Sequence, residues 1–250
     1  QIVDPAIPPE QVVMDPISAY CPNLRPLITG IGLFQPVRAN SKGYDLSDTA
    51  TLADIDRWRD PFRNSRWNAS PLLAGPCNSQ ATRLRYAPAH NGMVIGSIQD
   101  ASATNIENAL KAARPWAVHA SKRAEILLKI ADLFEKNAGE LFAMLALEAG
   151  KTLPDAVSEL REAIDFLRYY AVETKNIRGE TAPLGIVACI SPWNFPLAIF
   201  TGQIAAALAA GNAVLAKPAE QTPLIAYIAC QLIHRAGVPL SALQLLLGDG

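Results

Sequence analysis

The sequence predicts an α/β fold in which helices cover a parallel β-sheet. Three short apolar runs, at residues 184–190, 213–216 and 243–247, are rich in residues that favour strands. The segments between them, 197–210 and 222–236, have the length and apolar content of helices. Strands that alternate with helices in this way form parallel sheets with helices on their faces.

Helical periodicity also covers most of the chain between residues 102 and 170. The first predicted helix has Ser102 or Thr104 as its cap and ends at about Arg114, before Pro115. A second helix opens at Ser121. A third spans residues 138–149 and ends at Gly150, and a fourth spans residues 156–170 after Pro154. Together with the strands, these helices imply one α/β domain over residues 85–250.

The first 84 residues have a different character. Prolines cluster at positions 5, 8 and 9 and recur at 22, 26 and 36. Because proline fixes φ and removes a backbone donor, we expect a mostly extended segment with short helices, such as one at residues 51–58. We interpret residues 1–84 as an interdomain or linker segment. Its apolar residues Ile31, Leu33 and Phe34 indicate that it packs on a neighbour.

Composition excludes several classes of function. The formal net charge is -1, so the chain has no basic surface for nucleic acid or for an anionic membrane. Its four cysteines form no CxxC pair, which argues against a zinc cage or a thioredoxin-type site. The apolar stretch 197–210 is shorter than the roughly 20 residues that span a bilayer. The chain begins at Gln1 with no leader-like segment, so we expect it to be part of a longer protein.

Ligands of parallel α/β sheets bind at the carboxyl ends of the strands, which here lead into loops 191–196, 217–221 and 248–250. In the first loop, Pro192 and Pro196 enclose Asn194, whose amide is a neutral hydrogen-bond donor. Such a donor can stabilise an oxyanion by about 3–4 kcal/mol. The alternative is a simple turn in which the asparagine bonds its own backbone.

The second loop carries two charges at the end of a buried strand. Lys217 and Glu220 can both bond ribose hydroxyls, and Glu220 would repel a 2′-phosphate, which favours NAD over NADP. The alternative is an ordinary helix start with Thr222 as the cap and Pro223 at the first position. The third loop contains Gly248 and Gly250, but the chain has no GxGxxG motif in this region.

Several runs of residues together resemble the aldehyde dehydrogenase superfamily. These are 185–196 (GIVACISPWNFP), Gly211-Asn212, 216–223 (AKPAEQTP) and 147–151 (LEAGK). They occur in the family's order and spacing, and the resemblance covers about residues 85–250. It implies a Rossmann-like NAD-binding domain without GxGxxG, present here in incomplete form and preceded by helices and the proline-rich extended segment.

The resemblance also implies a role for each matching residue. Asn194 takes the place of the family's oxyanion asparagine, and Lys217 and Glu220 take the places of its ribose-binding residues. Phe195 and Phe166 are expected to line the aldehyde pocket. The remaining expected cofactor contacts are Ile190, Ser191, Pro192, Trp193, Pro218 and Gly250. No metal is expected.

A narrower resemblance links two further segments to the bifunctional proline utilisation A flavoenzymes. These segments are 38–46 (RANSKGYDL) and 163–171 (AIDFLRYYA). The resemblance implies NAD-dependent oxidation of L-glutamate γ-semialdehyde to L-glutamate in proline catabolism. It also implies an upstream proline dehydrogenase domain, which alone would carry FAD. We expect a cytoplasmic homo-oligomer, with any membrane association made by other parts of the protein, and no nucleic acid contact from this segment.

The family's nucleophilic cysteine and general-base glutamate lie beyond the glycine that here is Gly250. Cys189 lies in a predicted buried strand and Cys230 on a helix, where thiols are inert, while Cys21 and Cys77 precede the matched region. We therefore expect this chain alone to be inactive. Two alternatives stay open: an aldehyde dehydrogenase for another substrate, such as succinate semialdehyde, or a non-catalytic assembly module.

Overall fold

A computed structural model describes residues 5–15, 17, 30–78, 81–176 and 182–249 of the chain. Two three-stranded sheets and their helices make up the described part. The helices are α1 Pro9–Val12, α2 Thr49–Arg59, α3 Ala103–Ala112, α4 Ala120–Lys136, α5 Ala138–Ala149, α6 Leu153–Asn176, α7 Ala198–Ala209 and α8 Pro223–Ala236. The strands are β1 Trp67–Ala69, β2 Thr82–Tyr86, β3 Val94–Gln99, β4 Ile186–Ile190, β5 Ala213–Lys217 and β6 Leu243–Leu245.

The predicted parallel sheet is confirmed. Its strand order is β4-β5-β6, and both pairings are parallel. Helix α7 connects β4 to β5 and α8 connects β5 to β6, as the alternation of apolar runs and helical segments predicts. Ile190 is paired with Lys217 in the register, so the loops after β4 and β5 start side by side at one edge of the sheet.

Burial of the first strand of this sheet was predicted wrongly. β5 and β6 are buried along their length, apart from Lys217. In β4, however, only Cys189 is fully buried, and Ile186 and Ile190 are 43% and 68% exposed. A continuous apolar run predicts a strand covered on both faces. In the described residues β4 lies at the sheet edge and part of its surface has no covering element.

Most helix boundaries agree with the sequence patterns. α5 spans the predicted residues, and Gly150 follows it with φ of 66°, a left-handed conformation that favours glycine. Ser102 caps α3 by accepting a hydrogen bond from the Asn105 N–H at 3.1 Å. The cap of α4 is His119 and not Ser121, because the imidazole Nδ1 accepts from the Ser121 N–H. α6 is longer than predicted, from Leu153 to Asn176.

The region before residue 100 contains more regular structure than the proline content suggests. The predicted helix at 51–58 is present as α2, with Asp48 as its cap. β2 and β3 form an antiparallel pair that no sequence pattern indicated, and β1 joins β3 in parallel. The predicted domain boundary after residue 84 falls inside β2. The division of the chain into two parts at residue 84 stays a prediction.

Residues 38–42 are tied to the helices by polar contacts. The Arg38 guanidinium lies 3.2 Å from an Asp165 carboxylate oxygen, and both the backbone N–H and the hydroxyl of Ser41 donate to the same carboxylate. Arg168 donates to the carbonyl of Asn40 at 2.6 Å. The two segments that resemble proline utilisation A thus contact each other. Ile31, Leu33 and Phe34, which we expected to pack on a neighbour, are exposed within the described chain, although the Arg38 guanidinium lies 4.0 Å from the centroid of the Phe34 ring.

The apolar stretch after residue 196 forms the buried helix α7, as predicted. Gly202 lies at its centre, and a Cβ at that position would be 2.9 Å from the ring of Phe166. The absence of a side chain therefore lets α6 and α7 pack closely. Within the described residues, no helix is both long enough and apolar enough to cross a membrane.

Candidate active site

Loops 191–196 and 217–222 form the candidate site at the carboxyl edge of the parallel sheet. The Ser191 N–H donates to the Lys217 carbonyl at 3.2 Å, so the pairing of β4 and β5 continues into the loops. Ser191 is buried, and its hydroxyl has no hydrogen-bond partner among the described residues. An unsatisfied buried hydroxyl at a strand end is a group that a ligand can bind.

Asn194 is exposed at the tip of the first loop. Within the described part of the chain its side-chain amide makes no hydrogen bond, so the alternative of a self-bonded turn does not describe this asparagine. Its backbone carbonyl accepts a hydrogen bond of 2.6 Å from the Lys151 ammonium. The same ammonium lies 4.9 Å from the centroid of the Phe195 ring. The loop therefore presents a free amide from a backbone that Lys151 holds.

A buried glutamate anchors the end of this loop. One carboxylate oxygen of Glu159 accepts hydrogen bonds from the Leu197 and Ala198 N–H groups, at 3.2 and 2.8 Å. These are the first donors of α7, which has no side-chain cap of its own. The other oxygen lies 3.0 Å from the Lys151 ammonium, in a contact that has the distance but not the direction of a hydrogen bond.

In the second loop, Lys217 and Glu220 face each other. The Lys217 ammonium donates to the Pro218 carbonyl at 3.1 Å and lies 3.9 Å from a Glu220 carboxylate oxygen. A hydrogen bond from its own backbone N–H lowers the pKa of Glu220, so this carboxylate is ionised at neutral pH. The two side chains thus offer a donor and an acceptor at one strand end, a pattern suited to vicinal hydroxyls.

Helix α8, which follows the second loop, is capped by a side chain of another helix. Thr222 was the predicted cap, but it makes no side-chain cap bond and its buried hydroxyl has no partner among the described residues. Glu148 of α5 takes its place by accepting from the Leu224 and Ile225 N–H groups, both at 2.9 Å. Two carboxylate oxygens satisfy both donors, so a threonine hydroxyl is not needed.

Arg85 contacts the second loop in the same way as Lys151 contacts the first, by donating to a loop carbonyl. Its guanidinium lies 4.0 Å from the Glu148 carboxylate and donates to the carbonyl of Gln221. Burial raises the pKa of Glu148 to about 7, against the lowering effect of the two amide donors and of Arg85. The proton on this acid is therefore gained or lost near neutral pH.

Most of the other predicted site residues lie at the two loops. Trp193, Phe195 and Ile190 are exposed at the first loop, and Pro192 is partly buried beside them. Pro218 is buried in the second loop. Phe166 packs against Gly202 and stacks on Tyr170, with centroids 6.3 Å apart. Gly250 lies outside the described residues. The roles of these residues stay predictions.

The described cysteines are poor candidates for a nucleophile. Cys189 and Cys230 are buried free thiols, and burial raises the pKa of Cys189 to about 11. Burial also raises the pKa of Cys230. A thiol with a raised pKa is protonated at neutral pH and reacts slowly. Cys77 is exposed and precedes β2, and Cys21 lies outside the described residues.

Comparison with protein families identifies the chain. The family model described as the aldehyde dehydrogenase family matches residues 77–250, and that span includes both loops of the candidate site. The chain belongs to the aldehyde dehydrogenase family. The resemblance seen in the sequence motifs is thereby confirmed.

Individual relatives show how far the similarity extends. The bifunctional protein PutA of Rhizobium meliloti is 41% identical over 262 residues, which cover 100% of this chain and 21% of the relative. The 1-pyrroline-5-carboxylate dehydrogenase of Geobacillus thermodenitrificans is 37% identical over 182 residues, which cover 65% of this chain and 35% of the relative. The chain thus spans about a fifth of the length of the bifunctional relative.

A solved structure of the same type has a similar fold. The crystal structure of 1-pyrroline-5-carboxylate dehydrogenase from Thermus with bound NAD matches with a TM-score of 0.77 and 27% identity. The match covers 84% of this chain and 45% of that chain. The arrangement of strands and helices in this aldehyde dehydrogenase chain is therefore that of the family, over about half of the length of the solved relative.

Sequence motifs indicated Asn194, Lys217 and Glu220 but gave no role to the side chains that hold their loops. Glu148 and Lys151 lie in the LEAGK segment, which was interpreted only as a helix end. Glu159 and Arg85 were not singled out. The sequence signal that could have drawn attention to Glu148 and Glu159 is a glutamate among the apolar positions of a predicted helix. A glutamate at such a position is rarely buried without a partner.

Proposed function

We propose that this chain is the first part of the aldehyde dehydrogenase domain of a bifunctional proline-catabolic protein. The complete domain oxidises L-glutamate γ-semialdehyde to L-glutamate with NAD as the electron acceptor. Residues 1–84 connect this domain to an upstream proline dehydrogenase domain. Residues 85–250 are the N-terminal part of the NAD-binding domain, and the nucleophile comes from a part of the protein outside these residues.

The extent of the similarity carries this proposal. The family match begins at residue 77, and the match to the single-function relative covers 65% of the chain. The match to the bifunctional relative covers all of it. Residues before the family domain therefore resemble a bifunctional protein, and segment 38–46 is held against α6 by Asp165 and Arg168. This favours a bifunctional parent over an aldehyde dehydrogenase for another substrate.

The residues at the strand ends are suited to NAD. Lys217 and Glu220 provide a donor and an acceptor for ribose hydroxyls, and the ionised Glu220 disfavours a 2′-phosphate. The unsatisfied hydroxyl of Ser191 lies buried at the same edge of the sheet. When bound, NAD supplies the acceptor for the hydride that leaves the aldehyde carbon.

The role of this chain's own residues in the reaction follows from charge. When a thiolate from outside this chain adds to the aldehyde carbon, the carbonyl oxygen becomes an oxyanion. The free amide of Asn194 donates a hydrogen bond to that oxygen and stabilises the charge. Because the amide is a neutral hydrogen-bond donor, no proton transfer is needed at this position. The Lys151 ammonium holds the backbone of the loop that carries it.

The experiment measures NADH formation by the complete protein with L-glutamate γ-semialdehyde, before and after Asn194→Ala. We expect kcat to fall by about 100-fold or more, because one oxyanion donor has that effect in comparable sites. Asn176→Ala removes an exposed asparagine at the end of α6 and serves as the matched control, with unchanged kcat.

Two results contradict the proposal. If the complete protein forms NADH faster with succinate semialdehyde than with L-glutamate γ-semialdehyde, the proposed substrate is wrong. If it forms NADH with neither aldehyde, the chain belongs to a non-catalytic member of the family. Equal kcat for the wild type and Asn194→Ala would remove Asn194 from the reaction and leave the substrate assignment standing.

A further inference from the structure

The loop that presents Asn194 has very little hydrogen bonding of its own. Among the described residues, the one side-chain hydrogen bond that reaches residues 192–196 runs from the Lys151 ammonium to the Asn194 carbonyl. Pro192 and Pro196 restrict φ at the ends of the loop but have no N–H to donate. The position of Asn194 therefore depends on a side chain from another element.

Lys151 is itself fixed by its surroundings. It follows Gly150, whose left-handed conformation turns the chain at the end of α5, and the N–H groups of both residues donate to the Leu145 carbonyl. Its ammonium is mostly buried and lies 3.0 Å from Glu159, which is itself 2% exposed. Glu159 also binds the first two N–H groups of α7, directly after the loop. One ion pair thus contacts both the middle and the end of the loop.

We propose that Lys151 and Glu159 are positioning residues for the oxyanion donor and act on the reaction through the place they give to Asn194. The proposal rests on the proposed function of Asn194. A donor must be held within about 0.5 Å of its productive position to stabilise a developing charge. Without the Lys151 contact the loop keeps its sequence and its asparagine but loses the one side-chain hydrogen bond that reaches its backbone in the described residues.

The second loop provides a built-in comparison. Arg85 and Glu148 hold residues 217–222 by the same two contacts: a cation on a loop carbonyl, and a carboxylate on the first N–H groups of the next helix. That loop carries Lys217 and Glu220, which we assign to the cofactor. Loss of Arg85 should therefore raise KM for NAD, whereas loss of Lys151 should lower kcat.

The test is a double-mutant cycle in the complete protein with Lys151→Met, Asn194→Ala and the combined variant. If Lys151 acts through Asn194, Lys151→Met lowers kcat by about 10-fold in the wild type and by less than about 2-fold when Asn194 is already alanine. Lys122→Met removes an exposed lysine from α4 and is the control for loss of a positive charge.

A second measurement does not depend on turnover. Hydrogen exchange of the Leu197 and Ala198 backbone amides, which donate to Glu159 at the end of the loop, should become faster in Lys151→Met, while exchange in β5 and α8 stays unchanged. Equal exchange of these two amides in the two proteins would show that Lys151 does not hold the end of the loop. Arg85→Met should leave their exchange unchanged.

The outcomes separate this inference from the function on which it rests. If Asn194→Ala lowers kcat but Lys151→Met has the same effect in both backgrounds, the positioning role is wrong and the function stands. If the complete wild-type protein forms no NADH, the proposed function itself is wrong. Should Lys151→Met not fold, the cycle is repeated with Glu159→Gln, which keeps a cap on α7 and removes the charge that holds Lys151. Additive effects there overturn the proposal.

Discussion

Glu148 and Glu159 show how single buried acids fix the candidate site. Each accepts hydrogen bonds from the first N–H groups of the helix that follows a strand-end loop. The positive end of the helix dipole and a nearby cation reduce the cost of burying these carboxylates. The two acids therefore connect α5 and α6 to the edge of the sheet where the reaction is proposed to occur.

The raised pKa of Glu148 predicts how stability depends on pH. Its pKa is about 7 in the folded chain, against 4.5 for an unperturbed glutamate, so the folded state binds the proton more tightly than the unfolded state. The bound proton therefore stabilises the folded state. This stabilisation is complete below pH 4.5 and is lost as the pH rises through 7. The loss is roughly 3 kcal/mol, from the free energy equivalent of a pKa difference.

Urea unfolding of the chain between pH 5 and pH 8 measures this effect. Glu148→Gln is neutral at every pH, so over this pH range its free energy of unfolding should vary by about 2.5 kcal/mol less than that of the wild type. The exposed residue Glu125 provides the control, since Glu125→Gln should leave the pH dependence unchanged. Parallel pH profiles for the wild type and Glu148→Gln would contradict the assignment.

At the residue scale, sequence indicated groups that lie within one loop but not groups that meet across the fold. Asn194 lies between two prolines, and Lys217 and Glu220 are three positions apart, so local motifs reveal them. Glu148 contacts residues 76 and 77 positions away, and Arg85 contacts one 136 positions away. Such contacts depend on how α5 packs against α8 and on where β2 lies relative to the second loop, which local patterns do not specify.

Among the secondary-structure elements, the close packing of α2 against α5 depends on Gly139. A Cβ at this position would overlap the backbone carbonyl of Trp58, at the end of α2. In an isolated helix, replacing glycine by alanine stabilises by about 1 kcal/mol. Here we expect the opposite sign, because a backbone carbonyl cannot move aside without shifting α2.

Gly139→Ala should lower the free energy of unfolding by about 2 kcal/mol, a typical value for overpacking in a dense core. Urea unfolding of the chain measures it. Gly43→Ala is the control, since a Cβ at residue 43 would have no neighbour within 4 Å. An alanine at 139 that leaves stability unchanged, or raises it, would show that the two helices are not packed as closely as described.

Helices were more predictable than strands in this chain. Residues 138–149 combine apolar spacing with a terminal glycine, and α5 has those bounds. β1, β2 and β3 are short and mostly polar or mixed, so no run of apolar residues marks them. β4 has the apolar residues of a buried strand, but burial depends on what lies beside the strand, which its own sequence does not contain.

For the whole molecule, the front segment is attached to the domain and is not a free linker in the described residues. The polar residues Arg38, Asn40 and Ser41 contact Asp165 and Arg168 on α6. A pattern of prolines predicted extended backbone but not these contacts, because each joins residues more than 120 positions apart. Residues 38–41 are thus held against α6.

We propose, as the central claim, that this chain carries the oxyanion donor and the cofactor-binding loops of an aldehyde dehydrogenase domain, and that the nucleophile belongs to another part of the protein. NADH formation from L-glutamate γ-semialdehyde, measured for the complete protein and for this chain at equal concentration, tests it most directly. We predict turnover by the complete protein and none by the chain, whose buried thiols Cys189 and Cys230 have raised pKa values. Turnover by the chain alone, or none by the complete protein, would contradict the account.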